Sequence, residues 1–231
     1  MSEPITGISS MATRRVLAEL VGRWETASGG RAAIEAIGGV DAAKRVRAGE
    51  TFDVVVLAAD VMAKLEAEGF LAAGTTVGFV RSPMALAVKA GAPKPDVADP
   101  EAVKAAILAA RSVGYSTGPS GTHLLDVARN WGLDPAGEKP RFVQAKPGIP
   151  VAALVASGEA ELGVQQMSEF IGEPGIDVAG LVPAPIQSVT TFSIGIGARS
   201  ARVEAARGLI AMLNAPESAP IKRRLGMEPA V

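Results

Sequence analysis

Cysteine is absent from the 231 residues, and histidine occurs once, at His123. The first absence excludes a disulfide framework, a thiolate metal site and a cysteine nucleophile. The second excludes any metal site that needs two imidazoles. Aromatics make up only 4%, and 23 Lys+Arg against 24 Asp+Glu leave a formal net charge of −1. A nucleic-acid binder carries a basic surplus to neutralise phosphates, so that class is set aside. Long hydrophobic runs are missing too. The longest uncharged stretch, 178–198, is broken by Pro183, Pro185, Gln187, Ser188, Thr190, Thr191 and Ser193. A bilayer span needs ~20 mostly apolar residues, so no membrane span and a soluble protein are expected. The N-terminal run Met1 to Gly7 has neither a basic nor an apolar region. It does not read as a secretory signal. A cytoplasmic location is therefore expected, or a periplasmic one if a leader has been removed.

What is present is a 48% hydrophobic chain with 20% charged residues, enough to bury a core. Apolar runs alternate with helical patterns, as in an α/β fold. Strands are expected at 5–8, 34–37, 52–58, 75–80, 84–88, 112–115, 142–145, 162–166 and 189–196. Helices are expected around Leu17–Trp24, from Asp41 to about Gly49, after Asp60, and over 101–111, 119–131, 150–157, 201–213 and 219–225. Asp41 and Asp60 are read as caps. The middle of the chain looks like an insertion. One lobe is expected from 1–83 plus 189–231 and a second from 84–188, with a ligand cleft between them.

Two segments offer chemistry. Gly7-Ile8-Ser9-Ser10-Met11 runs from a strand into a helix, where hydroxyls and unpaired N–H groups favour an anion. The local alternative is that Ser9 or Ser10 caps its own helix. The second segment is Tyr115-Ser116-Thr117-Gly118-Pro119-Ser120-Gly121-Thr122-His123. Pro119 fits a first helical turn, and Gly118 and Gly121 let a ligand approach the backbone. Four hydroxyls and several free amides surround one point, more than a cap requires. Without a Lys after the second Gly it is not a Walker loop.

Further candidates are Ala59 at a strand's carboxyl end, Arg81 and Ser82 at the expected crossing between lobes, and the amides of Gln165 and Gln166. As a proton shuttle His123 comes first, with Glu35 and Glu169 as alternatives if the fold brings them to the site. Leu20, Trp24, Leu124 and Trp131 read as core. No metal and no organic cofactor is expected.

Three stretches resemble the molybdate-binding-protein type of periplasmic binding fold: Val88 to Trp131, Glu161 to Pro183, and Thr191 to Gly197. The resemblance covers nearly the whole chain. It implies a two-lobed type II α/β fold whose interlobe cleft is lined by Ser9, Ser10, Ala59, Ser116 to Thr122, Gln165 and Gln166. Arg81 at the crossing departs from the neutral donors by which such proteins hold molybdate, and Ala59 replaces a residue that is often a hydroxyl. The same superfamily contains an enzymatic branch, aconitate isomerase, which Y-S-T-G-P-S-G and G-V-Q-Q-M-S-E resemble. Two functions follow as expectations. One is cis/trans isomerisation of a small unsaturated polycarboxylate such as aconitate by an allylic proton shift. The other is binding of molybdate, tungstate or a related oxyanion for an ABC permease, without chemistry.

Overall fold

The computed structural model describes residues 3–146 and 148–230. Met1 and Ser2, which belong to the N-terminal reading above, lie outside the described residues. The chain divides into two compact units, Met1–Ser82 with Thr191–Val231, and Pro83–Thr190. It leaves the first unit at Ser82 and returns to it at Thr191.

In the first unit β1 (Ile5–Ser10), β2 (Ala32–Ile37) and β3 (Val54–Ala58) run parallel, with β1 in the middle. Each leads into a helix: α1 (Arg14–Ser28), α2 (Gly39–Arg47) and α3 (Ala59–Ala67). β4 (Val77–Ser82) completes the chain's first pass through this unit. In the second unit β5 (Met84–Lys89) is followed by α4 (Pro100–Ala109), β6 (Ser112–Tyr115), α5 (Pro119–Asn130), β7 (Arg141–Gln144), α6 (Val151–Ser157), β8 (Leu162–Gln166) and β9 (Ile176–Leu181). The chain re-enters the first unit with β10 (Thr190–Ile196), α7 (Val203–Leu213), α8 (Ala219–Arg224) and β11 (Glu228–Pro229). The six-stranded sheet has the order β11-β4-β10-β3-β1-β2, and the five-stranded sheet β7-β6-β8-β5-β9.

Both sheets are covered on two faces, which is why their central strands are continuously apolar rather than alternating. Every residue of β3 is buried. Val54 and Val56 join the cluster of α1 and α7, including Leu17, Leu20, Leu209 and Leu213. Val55 and Leu57 face α2 and α3, with Val46, Met62 and Leu65. In the second unit Met84, Leu86 and Val88 pack with Val103, Ile107 and Leu124. Ala85 and Ala87 on the opposite face meet Val151, Val155 and Phe170. Trimming one such Leu or Ile to Ala costs about 2–5 kcal/mol, because the space does not close completely.

Several expectations need correction. Asp41 and Asp60 are not caps: the caps are Gly38 and Ala58, neither with a side-chain bond, and both acids sit inside the first turn. The parallel strands pass straight into their helices, so the helices start two or three residues earlier than the acids suggest. Arg81 and Ser82, expected beyond a strand ending at 80, are the last residues of β4, and the chain passes to the second unit directly after Ser82. β9 is a strand that the sequence reading did not name. Its pattern is only partly buried, as an edge strand's is, and it pairs antiparallel with β5.

Candidate functional site

The parallel strands gather their carboxyl ends within each unit. In the first unit Ser9 lies in register with Val56, so Ser9–Ser10 and Ala58–Ala59 end adjacent strands. Ser9 is fully buried and its hydroxyl donates to the Glu35 carbonyl at 3.3 Å. Ser10 Oγ accepts from the Ala12 amide at 3.3 Å, capping the 3-10 turn Met11–Thr13, and Thr13 Oγ1 donates to the Ser10 carbonyl at 3.0 Å. The capping role of Ser10 is therefore present. Beside it is a group that the sequence reading missed, the start of α2. A β-carbon on Gly39 would stand 3.8 Å from Ser10 Oγ, so the backbone of α2 comes close to that hydroxyl. The signal was a Gly-Gly pair directly after a strand. Three helix starts, at Ser10, Gly38 and Ala58, thus share one edge of the sheet. Arg81 is exposed, and its backbone pairs with Glu228, whereas Ser82 is buried.

In the second unit Gly114 of β6 is in register with Gly163 of β8, which carries Ser116 level with Gln165 two residues on. The loop after β6 folds tightly. Gly118 N donates to Ser116 Oγ at 3.3 Å, and the amides of Gly121 and Thr122 both donate to the Gly118 carbonyl, at 3.1 and 3.2 Å. Ser116 Oγ and Ser120 Oγ stand 3.5 Å apart. Thr122 Oγ1 lies 3.5 Å from the Gly118 carbonyl, the long limit for such a bond. Pro119 occupies the first turn of α5, as its sequence position suggested. No side chain caps this helix and its first turn holds no acid, so its positive end lacks an anionic partner of its own. Thr117 is exposed at the lip and Ser120 is buried.

Gln165 and Gln166 close β8 and are both buried. Gln165 Oε1 accepts from the amide of Val151 at the start of α6, at 3.2 Å, and its Nε2 donates to Glu169 Oε2 at 2.6 Å. Gln166 Nε2 donates to Thr190 Oγ1 at 2.7 Å, while its Oε1 has no partner. Glu169 ends the 3-10 turn Met167–Glu169 that follows β8 directly.

His123 takes a different direction. Its Nε2 donates to the Ile186 carbonyl at 3.0 Å, and the ring borders a small apolar pocket with Leu86, Ile107, Leu124 and Trp131. Of the alternative bases, Glu35 is exposed and its Oε2 accepts from Arg45 at 2.7 Å. Among the described residues no group of three or more His, Asp or Glu is placed to hold a metal ion, and no helix is long and apolar enough to cross a membrane. A cavity of about 210 Å³ in the first unit opens at the amino end of β3, between Phe52, Phe70 and Arg199, away from the strand ends just described.

A family model for bacterial extracellular solute-binding protein matches residues 5–228. Aconitate isomerase from a Pseudomonas species is 33% identical over 240 residues, taking in 99% of this chain and 90% of that protein. Among solved structures, the periplasmic molybdate-binding protein of Azotobacter vinelandii matches with a TM-score of 0.77 at 18% identity, over 96% of this chain and 98% of that one. The tungstate ABC transporter structure from Geobacter sulfurreducens matches with a TM-score of 0.72 at 20% identity, over 95% and 97%. At such identities the two structures speak for the type II periplasmic-binding fold alone. With the family match running through both units, the chain belongs to the bacterial extracellular solute-binding protein family.

Proposed function

We propose that this protein isomerises a small unsaturated polycarboxylate, aconitate first, by an allylic proton shift. The observation that carries the reading is the 33% identity with an aconitate isomerase along 99% of the chain. The geometry supports it. Ser116 to Thr122 present hydroxyls and amides at the uncapped start of α5, suited to a carboxylate. Ser9, Ser10 and Ala59, at the strand ends of the first unit, are proposed as further carboxylate contacts, with the exposed Arg81 guanidinium as a charge-assisted one. Gln165 and Gln166, buried at the end of β8, are proposed as further contacts. Moving the double bond places negative charge on a carboxylate in the transition state, and donors already fixed in place lower that barrier without reorganising.

The second reading is a binding protein for an oxyanion such as molybdate or tungstate that serves an ABC permease. The family description favours it. The same description gives the cytoplasmic expectation no support, and a location outside the cytoplasm is the proposal under either reading. Proton NMR of purified protein with trans-aconitate separates the two functions. Appearance of cis-aconitate is expected. Absence of turnover, together with tight binding of molybdate by calorimetry, defeats the isomerase reading.

A further inference from the structure

The cavity between Phe52, Phe70 and Arg199 lies at the opposite end of β3 from Ala58 and Ala59, and its walls come from the first unit alone. We infer that it is a second ligand site, for a small aromatic monocarboxylate whose ring enters between the apolar walls and whose carboxylate pairs with Arg199. The site is independent of the isomerase reading.

The walls follow from how two helices end. α2 and α3 both close in a turn through a glycine of positive φ, Gly49 and Gly69. The amides of Gly49 and Glu50 donate to the Val46 and Arg45 carbonyls at 3.0 and 3.2 Å. Those of Gly69 and Phe70 donate to Glu66 and Leu65 at 3.0 and 2.9 Å. These bonds occupy carbonyls that a helix end would otherwise turn toward a cation. The chain leaving β10 forms a third wall. There the Gly197 amide donates to the Asp53 carbonyl at 3.1 Å and the Ala198 amide to the Phe70 carbonyl at 2.9 Å. A β-carbon on Gly197 would fall 2.0 Å from the Phe52 carbonyl oxygen, so this close approach needs a glycine. Walls tied by backbone bonds make a pocket that is formed before a ligand arrives.

The lining sets the ligand. Val46 and Val55 are buried, and Phe52 and Phe70 are half-buried. An apolar cavity of about 150 Å³ holds benzene, so about 210 Å³ leaves room for a ring and one small polar group. Three charged residues border it: Glu50, Glu68 and Arg199. Both oxygens of Glu50 accept from Arg45, and both of Glu68 from Arg47. Arg199 is exposed, and its guanidinium has no ion pair or hydrogen bond among the described residues. Its Nη1 lies 3.8 Å from where a β-carbon on Gly49 would stand, at the rim beside the end of α2. A guanidinium at the edge of an apolar pocket suits a planar carboxylate carried on a hydrophobic body. A polycarboxylate would press its further charges against Phe52 and Phe70 without partners, so this site selects a different ligand from the one proposed at the strand ends.

The test titrates wild-type protein and Arg199→Gln with benzoate, benzamide and benzylamine, by calorimetry and by amide NMR of isotope-labelled protein. Arg199 is exposed, so its replacement leaves the packing intact. Benzoate is expected to bind wild-type protein with a Kd of about 1 mM or tighter. It is expected to shift the amides of Gly49, Gly69 and Gly197 while those of Ser116 to Thr122 stay in place. Arg199→Gln, and benzamide in place of benzoate, are each expected to weaken binding about 10-fold or more. Arg199→Lys is expected to recover part of the affinity. Benzoate that fails to bind, or that shifts Ser116 to Thr122 instead, overturns the inference. So does an Arg199→Gln variant that binds as wild type does, and so does benzylamine binding more tightly than benzoate. Each of these failures leaves the isomerase reading standing, since that reading is tested by turnover of trans-aconitate.

Discussion

A β-carbon on Gly121 would fall 1.8 Å from the carbonyl oxygen of Ser116. The second turn of the Ser116–Thr122 loop therefore closes only because residue 121 has no side chain, and the obstacle is backbone that cannot swing aside. Gly121→Ala is expected to push the loop off the start of α5. We expect a stability loss of about 1–3 kcal/mol, the usual range for overpacking, and a larger loss of ligand affinity. Thermal denaturation and calorimetry with trans-aconitate measure the two. An alanine variant with unchanged affinity would show that this loop does not hold the ligand.

His123 Nε2 donates to the Ile186 carbonyl at 3.0 Å. His123→Leu keeps an apolar body against Leu124 and Trp131 but leaves the Ile186 carbonyl without its donor. The expected result is a destabilisation of about 1–3 kcal/mol with the rate per folded molecule preserved. Loss of rate with full stability would make His123 the proton shuttle.

Gln165 ties the start of α6 to the turn after β8. Gln165→Leu removes the acceptor of the Val151 amide and the donor to Glu169 together. A stability loss of about 2 kcal/mol is expected from the stranded groups. Denaturant titration of the wild type and the variant measures the loss, and an unchanged stability would refute it.

Lys222 is fully buried in the first unit, with Nζ donating to the Phe79 carbonyl and Asn214 Oδ1, both at 3.0 Å, and lying 4.5 Å from the centre of the Phe79 ring. Burial among neutral partners lowers its pKa from 10.5 to about 8. Between those values the unfolded chain holds more protons than the folded one, so this residue makes stability rise with pH from about 8 to 10.5. Below about 8 the lysine is charged in both states and the cost of burying it is felt in full. The rise amounts to about 3 kcal/mol at most, at 1.36 kcal/mol per unit. Denaturant titrations at pH 7.5 and 10 are expected to show it in the wild type but not in Lys222→Met. An equal pH slope in both proteins would refute it.

Much of this architecture was readable along the chain. The strands Ser112–Tyr115 and Leu162–Gln166 coincide with their expected bounds, and Pro119 marks the start of α5. Local chemistry sets these features: β-branched and apolar runs bounded by turn residues, and a proline whose missing N–H costs nothing in a first turn. The continuous apolar character of Val54–Ala58 likewise announced a strand covered on both faces.

Tertiary packing decided the rest. β9 is a strand because β5 offers it an edge, not because I-D-V-A-G-L has a strong pattern of its own. Asp41 and Asp60 lost the caps assigned to them because strands fixed in a sheet deliver the chain already positioned for a helix. His123 was singled out as the lone imidazole, yet the direction of its ring depends on Ile186, 63 residues away. That Gln165 holds Glu169 was not legible either, since a carboxylate in a sequence carries no sign of the glutamine that will hold it. Residue types and local propensities fix which groups are available and where the elements begin. Which hydroxyl, amide or carboxylate is spent on the protein's own backbone is settled only when distant strands come into register, because a hydrogen bond is decided over about 3 Å in space whatever the distance along the chain.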